Sequence, residues 1–382
     1  MLVGIDVLEQ QRFAPLLRSD GREARIGLVT NATGVDSHGR RTIDVLASAA
    51  GIKLMQIFAP EHGIATKVDS ADIEDSKDQS TGISVYSIYG RTDAERRPRQ
   101  AMLRGLDAVV FDLQDAGVRF YTYETTLGYF LETCAAAGVE MIVLDRPNPI
   151  NGVAVQGPIS SAPASFVNYH PLPVRHGMTL GELARFFNGE RKIKTKLRVV
   201  PMQGWERSQW FDETGIAWVN PSPALRNMNA EILYPGTALL EQTNVSVGRG
   251  TETPFEVLGA PWIERDKLSQ YMTSRKQAGV GFTAVKFTPT SSTLAGKECQ
   301  GVKLTILDRD TLDAPAVGIE LAAALHHLYP KEFEIDKMKS LLANDAELAK
   351  LEKGADPQGI VAGWQREMRG FRKLRRRYLL YR

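Results

Sequence analysis

Cysteine is nearly absent: Cys134 and Cys299 are all that 382 residues contain. Two thiols are too few for a disulfide framework or a thiolate zinc site. A single disulfide stays open, although Cys134 falls in a helix-like run, LGYFLETCAAAG, where a small buried residue is expected. No apolar stretch reaches the roughly 18 residues needed to span a bilayer, so no stable membrane insertion is expected. An excess of one charge is lacking too, since 47 Lys and Arg stand against 45 Asp and Glu. That balance gives no field for non-specific nucleic-acid binding. Only the tail FRKLRRRYLLYR (371–382) is locally basic, and its Tyr and Leu residues suggest a helix docked on the protein body. The start, MLVGIDVLEQ, has no basic segment followed by an apolar one. The expected location is therefore periplasmic or secreted if a signal peptide has been removed, and cytoplasmic otherwise.

Several catalytic signatures are missing as well. The first strand-like run exits through VTNATGVD without G-x-G-x-x-G, and no G-x-x-x-x-G-K-[ST] occurs anywhere. The run GRGTETP (248–254) can form an anion-binding nest, but alone it says little about phosphate. The six histidines include no H-E-x-x-H, and the neighbours His326 and His327 face different ways on a predicted helix. A serine nucleophile lacks its G-x-S-x-G elbow. No cofactor and no metal are expected.

What the chain does have is a series of short, nearly continuous apolar runs: ARIGLVTN (24–31), KLMQIFAPEH (53–62), LDAVVFDLQD (106–115), VEMIVLDRPNP (139–149) and KLRVVPMQGW (196–205). Helix-like segments such as TIDVLASAAG, TLGYFLETCAAAG and MTLGELARFFNG separate them. Valine- and isoleucine-rich strands alternating with helices predict a parallel sheet covered on both faces. Thr179 and Glu182 fit a capping box opening the last of these helices. Beyond PSPALRN (221–227) comes a loop-rich stretch (234–262), then the strand-like GFTAVKFTPT and GVKLTILD and two further helical patterns. The reading is an α/β fold: a doubly wound, Rossmann-like parallel sheet domain over 1–225, with a smaller C-terminal α+β domain over 226–382 closing a cleft.

Ligands of open parallel sheets bind outside the carboxyl ends of the strands. Here those ends carry Asn31, then Glu61 and His62, then Asp112 and Asp115, then Asp145, Arg146 and Asn148. Any one Asp after a strand is more often a turn former than a catalyst. Four such ends in succession predict a shared site. The segment FDLQDAGVRFYTYETT (111–126) adds Gln114, Arg119, Tyr121 and Tyr123. Tyrosines stack on sugar rings and bond their rims. Arg119 either holds an anion or ties down Asp112 or Asp115 as an internal pair. Carboxylates among aromatics favour glycosidic chemistry.

Taken together, FAPEHG, TGISVYSIYGRT, FDLQDAGVRFYTY, LDRPNPING, RHGMTLGELA, WVNPSP, YPGTALLEQTNVSVGRGTETPFEVLGAPW and the closing RRRYLLY resemble the NamZ-type exo-β-N-acetylmuramidases. This is a bacterial family long catalogued as a domain of unknown function, and the resemblance covers essentially the whole chain. It implies a glycosidase of peptidoglycan recycling that removes N-acetylmuramic acid from the non-reducing end of muramyl glycan fragments. It also implies a Rossmann-like domain, a smaller C-terminal domain and a cleft between them. By the same resemblance Glu61 is the foremost acid/base candidate, with Asp115 or Glu241 as its partner unless the substrate's own acetamido group attacks. Asp112, Arg119, Tyr121, Asp145, Arg146, Asn148, Asn244 and Arg249 match their motifs and, with His62 and Tyr123, are the expected substrate contacts.

Three departures stand out. Gln156 precedes Gly157-Pro158 where the family has glutamate, Val247 replaces another glutamate, and Ala224-Leu225-Arg226 follows P-S-P. They leave open a catalytically impaired glycan-binding or sensor protein of the same fold. Muramic acid bears a lactyl carboxylate, so a selective site needs a cation: Arg249, Arg146 or Arg119.

Overall fold

The structure is a computed structural model that describes residues 1–382 in full. Twelve strands follow one another along the chain: β1 (Ala24–Thr30), β2 (Ile52–Ala59), β3 (Ser76–Lys77), β4 (Ser84–Ser87), β5 (Ala108–Asp112), β6 (Glu140–Leu144), β7 (Gln156–Ile159), β8 (Pro173–Arg175), β9 (Leu197–Val200), β10 (Val257–Ala260), β11 (Val280–Phe287) and β12 (Cys299–Ile306). Seven of them make one sheet in the order β3-β4-β2-β1-β5-β6-β9. All its pairings are parallel except that of the short edge strand β3 with β4.

Side chains alternate across such a sheet, and both faces of this one are apolar. Val29, Val109, Phe111, Met141 and Val143 enter the core on one face. Ile26, Leu28, Val110, Ile142 and Leu144 enter a second core on the other. This explains the continuous rather than alternating runs, because strands buried on both sides have no solvent face to mark. The helix Thr122–Ala137 covers the first face and ends at Gly138 in the left-handed conformation. The helix Leu180–Glu190 opens with the expected box, Thr179 accepting from the Glu182 main chain.

Strand order turns at β1, where the chain crosses from the β2 side to the β5 side, and the carboxyl ends there form a natural crevice. A second part is built on the antiparallel sheet β10-β12-β11. Its helix Met228–Thr237 runs into the expected loop-rich stretch (234–262) and through Pro235. That helix crosses the helix Ala314–Leu328 at Gly236 and Gly318. A Cβ on Gly318 would fall 2.3 Å from the Gly236 carbonyl oxygen, so only glycine allows the crossing. The larger core continues from Val29 through Phe371 without a break between the two parts. No helix is long and apolar enough to cross a membrane.

The basic tail docks. Within the helix Gln365–Arg375, Arg375 donates to the carbonyls of Gly152, His176 and Gly177, and Tyr381 donates to Asp145. Arg372 and Arg375 thus serve as donors to main chain of the first part, while Phe371 packs in the core.

Candidate active site

At the carboxyl end of β2 the chain must turn sharply. Pro60 ends the ladder, and His62 and Gly63 both take the left-handed conformation, each with φ of 70°. For a histidine this costs of order 1 kcal/mol, a strain found where a side chain must be aimed. The turn delivers Glu61 and His62 into a hollow of about 190 Å³. The first part contributes these two residues with Asp69, Tyr89, Phe120, Tyr121 and Thr122; the second contributes Tyr234, Glu241, Gln242, Arg249 and Leu341.

Glu61, His62, Asp69, Glu241 and Arg249 are each held by partners in or beside the hollow. The Thr122 hydroxyl donates to Glu61 Oε2 at 2.5 Å from the first turn of its helix. His62 Nδ1 lies 3.0 Å from the Val68 carbonyl. A carbonyl only accepts, so Nδ1 carries the proton and the neutral ring keeps its lone pair on Nε2. Asp69 Oδ1 stands 3.3 Å from the same Nδ1. Burial alone would lower the His62 pKa, but Asp69, Glu61 and the Val68 carbonyl outweigh it and raise it. Asp69 is opposed by burial too, yet His62 and Arg249 hold it down to about 2.

From Asp69 the chain of charges crosses to the second part. Arg249 Nη2 reaches Asp69 at 2.7 Å, and its Nη1 reaches Glu241 at 2.5 Å. Burial works against the guanidinium, and the two carboxylates more than compensate, so it stays cationic. The aromatic wall is T-shaped: Tyr121 lies 4.8 Å from Tyr123 and 6.2 Å from Tyr234 between centroids. Tyr121's hydroxyl is buried and has no partner. Burial first, then the charge of Glu61 beside it, raises the Tyr89 pKa.

Of the residues expected from sequence, Glu61, His62, Tyr121, Glu241 and Arg249 meet in this hollow. Eight others do not line it, and their geometry shows why. Asp112 and Arg146 form a fully buried bidentate pair, with Thr42 also donating to Asp112 and Val35 accepting from Arg146. Asp145 accepts from Thr179, Gly181 and Tyr381, so it anchors a helix start and the chain's tail; burial raises its pKa to about 6. Asn148 bonds Met178 and Ile150 of the main chain.

Arg119 is 1 % exposed and gives its guanidinium to four carbonyls, those of Pro158, Leu172, Leu341 and Leu342. It pairs with neither Asp112 nor Asp115. Tyr123 lies behind the site, donating to Pro221 O at 2.8 Å with the Glu61 carbonyl at 3.3 Å, and so positions the turn. Asn244 ties down the main chain at Glu332 and Glu334.

Asp115 is the clearest correction. It is 4 % exposed, bonds the Gly117 amide, and its Oδ1 finds no partner. Burial, reinforced by Glu124, raises its pKa to about 8, so near neutrality it carries a proton. Glu124 and Glu231 are likewise pushed well up by burial. Asp115, Glu124 and His176 converge within 4.8 Å, as a metal site would require. The histidine does not fit that role. Its Nδ1 already accepts from the Met178 amide at 3.1 Å, so the neutral ring is protonated at Nε2, which sits 2.6 Å from Glu124. A metal-bound histidine keeps the reverse arrangement, donating from its other nitrogen.

The departures lie away from the hollow. Gln156 bridges Leu312 O and Arg175, Val247 packs in the apolar core, and Ala224 and Leu225 are buried there too. Conversely, Asp69, Tyr89, Thr122, Phe120, Tyr234 and Gln242 line the hollow without having been singled out as site residues. Asp69 stands only seven residues beyond His62, and Tyr89 and Tyr234 lie inside the family-like segments. Nothing in the spacing alone says that their side chains point inward.

Residues 26–229 match the profile described as "Exo-beta-N-acetylmuramidase NamZ, N-terminal", and residues 232–381 the corresponding C-terminal profile. The chain is 40% identical to the peptidoglycan beta-N-acetylmuramidase NamZ of Bacillus subtilis, covering 99% of this chain and 91% of that protein. Two crystal structures of DUF1343 family proteins from Bacteroides fragilis superpose over the full chain and 99% of theirs. One has a TM-score of 0.90 at 32% identity, the other 0.77 at 30%.

Proposed function

The chain belongs to the NamZ exo-β-N-acetylmuramidase family, and from that membership we propose that it is an exo-acting glycoside hydrolase releasing N-acetylmuramic acid from the non-reducing end of peptidoglycan fragments. The observation that carries the reading is the meeting of Glu61 and Glu241, from the two parts of the chain, in one small hollow with Arg249 and a tyrosine wall.

Glycoside cleavage needs an acid at the leaving oxygen and negative charge or a nucleophile by the anomeric carbon as it becomes oxocarbenium-like. Glu61 takes the first role: it lines the hollow, and the Thr122 hydroxyl holds one of its oxygens in place. Glu241 takes the second, held by Arg249. His62, its Nδ1 occupied, offers Nε2 as acceptor to a sugar hydroxyl or to the attacking water. Arg249 is the only one of the three candidate arginines in the hollow, and its two ion pairs leave three of about five N–H donors for a lactyl carboxylate. A glycan-binding protein without turnover would have rested on Gln156 and Val247, neither of which lines the hollow.

The test is release of free N-acetylmuramic acid from a chromogenic muramide and from the disaccharide of N-acetylmuramic acid linked to N-acetylglucosamine. Glu61→Gln should lower kcat by about 10²–10⁴-fold with an unchanged melting temperature. No release by the unmodified protein defeats the proposal; full activity of the variant moves the acid elsewhere.

A further inference from the structure

A hollow of 190 Å³ is small, and the substrate continues beyond the bond being cut. Two depressions adjoin it. One, of about 530 Å³, meets it at Gln242, next to Glu241. The other, of about 570 Å³, meets it at Tyr89, next to Glu61. The bridging oxygen must lie against the proton donor, so the rest of the glycan leaves on the Glu61 side. The path past Tyr89 is continuous in the chain as well: Asp69 and Ser70 line the hollow, and the residues directly after them line the groove.

We propose that this groove, between the segment after Ser70 and the short helix Asp93–Arg96, binds the leaving portion of the glycan, beginning with an uncharged N-acetylhexosamine ring at Tyr89. The proposal rests on the glycosidase reading and adds to it where the part of the substrate that is not muramic acid binds. Charge in the groove fits an uncharged ring. Asp72 and Arg91 pair at 2.6 Å, and Arg97 is held by Asp93 at 2.8 Å and Glu132 at 2.5 Å. Glu95 is engaged by the amides of Arg91 and Thr92, both at 2.7 Å, and Asp75 by that of Ser87. Only Glu74 and Arg99 stand free, one of each sign. The result is a hydroxyl-compatible surface of fixed donors and acceptors with no net pull on an anion, beside a tyrosine that can carry a sugar face. A hexosamine there would gain binding that an aryl leaving group, lacking the ring substituents, would not.

Ala94 is exposed on the groove wall and touches nothing in the hollow. Ala94→Trp should fill the groove. The expected result is a loss of about tenfold or more in kcat/KM for the muramyl-glucosaminyl disaccharide, with the chromogenic muramide changed by less than about twofold. Activity on the chromogenic substrate also reports that the variant is folded. Equal loss on both substrates, or no loss on either, overturns the groove assignment and leaves the hydrolase reading standing. An unmodified protein inactive on both substrates removes the hydrolase reading and this inference with it.

Discussion

Asp69 and Arg249 pair at 2.7 Å across the mouth of the hollow, joining a loop of the parallel-sheet part to a loop of the second part. The same aspartate faces His62 Nδ1, so one carboxylate stands against both the cation expected to meet the substrate's lactyl group and the protonated nitrogen of the imidazole.

Replacing that aspartate should therefore move a titration. His62 has a raised pKa in the folded protein, so the stability it contributes is fully present below about 6.5, its unfolded value, and is lost as pH rises through the folded value. Asp69→Asn removes an anion that raises His62. Its titration, followed by ring proton resonances, should shift to lower pH, and the corresponding limb of the kcat/KM profile should shift with it. A profile identical to that of the unmodified protein would separate His62 from the rate.

Arg249 carries a separate expectation about selectivity. Arg249→Met should raise KM for muramides by about tenfold or more, while glucosaminides of the same leaving group change by less than about threefold. Equal increases for both would show that the arginine organises Glu241 and Asp69 without reading the lactyl carboxylate. Steady-state kinetics on the matched pair of substrates decides it.

Asp115 offers a stability test independent of catalysis. Its folded pKa of about 8 lies above the ordinary 3.8, so the fold prefers the protonated carboxyl. Below pH 3.8 both states are protonated and nothing is lost. As pH rises from there towards 8 the unfolded state ionises first, stability falls, and the penalty levels off above 8. Asp115→Asn keeps an oxygen for the Gly117 amide and cannot ionise. It should raise the melting temperature by a few degrees, roughly 2–4 °C per kcal/mol, at pH 8 and by little at pH 4. Thermal unfolding at the two pH values checks the sign.

The parallel sheet was legible because strands buried on both faces read as unbroken apolar runs, and β1, β2, β5, β6 and β9 all lie in such runs. The rule that polar strand ends gather at one edge was also useful, but incomplete. Glu61 and His62 reach the hollow. Asp112 and Asp145, at equivalent strand ends, are taken up by Arg146 and by a helix start with the chain's tail. A strand end fixes where a side chain begins and not which partner neutralises it. The helix Met228–Thr237 was hidden by Pro235 and Gly236, residues that usually mark loops; here the glycine serves a close helix crossing. Tyr89 and Tyr234 were invisible as site residues for a similar reason, since their inward aim is set by packing between segments far apart in sequence.

Arg119 spans the boundary between the two parts, with Pro158 and Leu172 on one side and Leu341 and Leu342 on the other. Swinging the halves apart like jaws would strip a buried guanidinium of its acceptors, a cost of several kcal/mol. Leu341 is itself part of the hollow's wall, so the wall is riveted in place before any sugar arrives. The expected consequence is that substrate enters and product departs through a standing opening while the two parts keep one arrangement, with no hinge cycle between them.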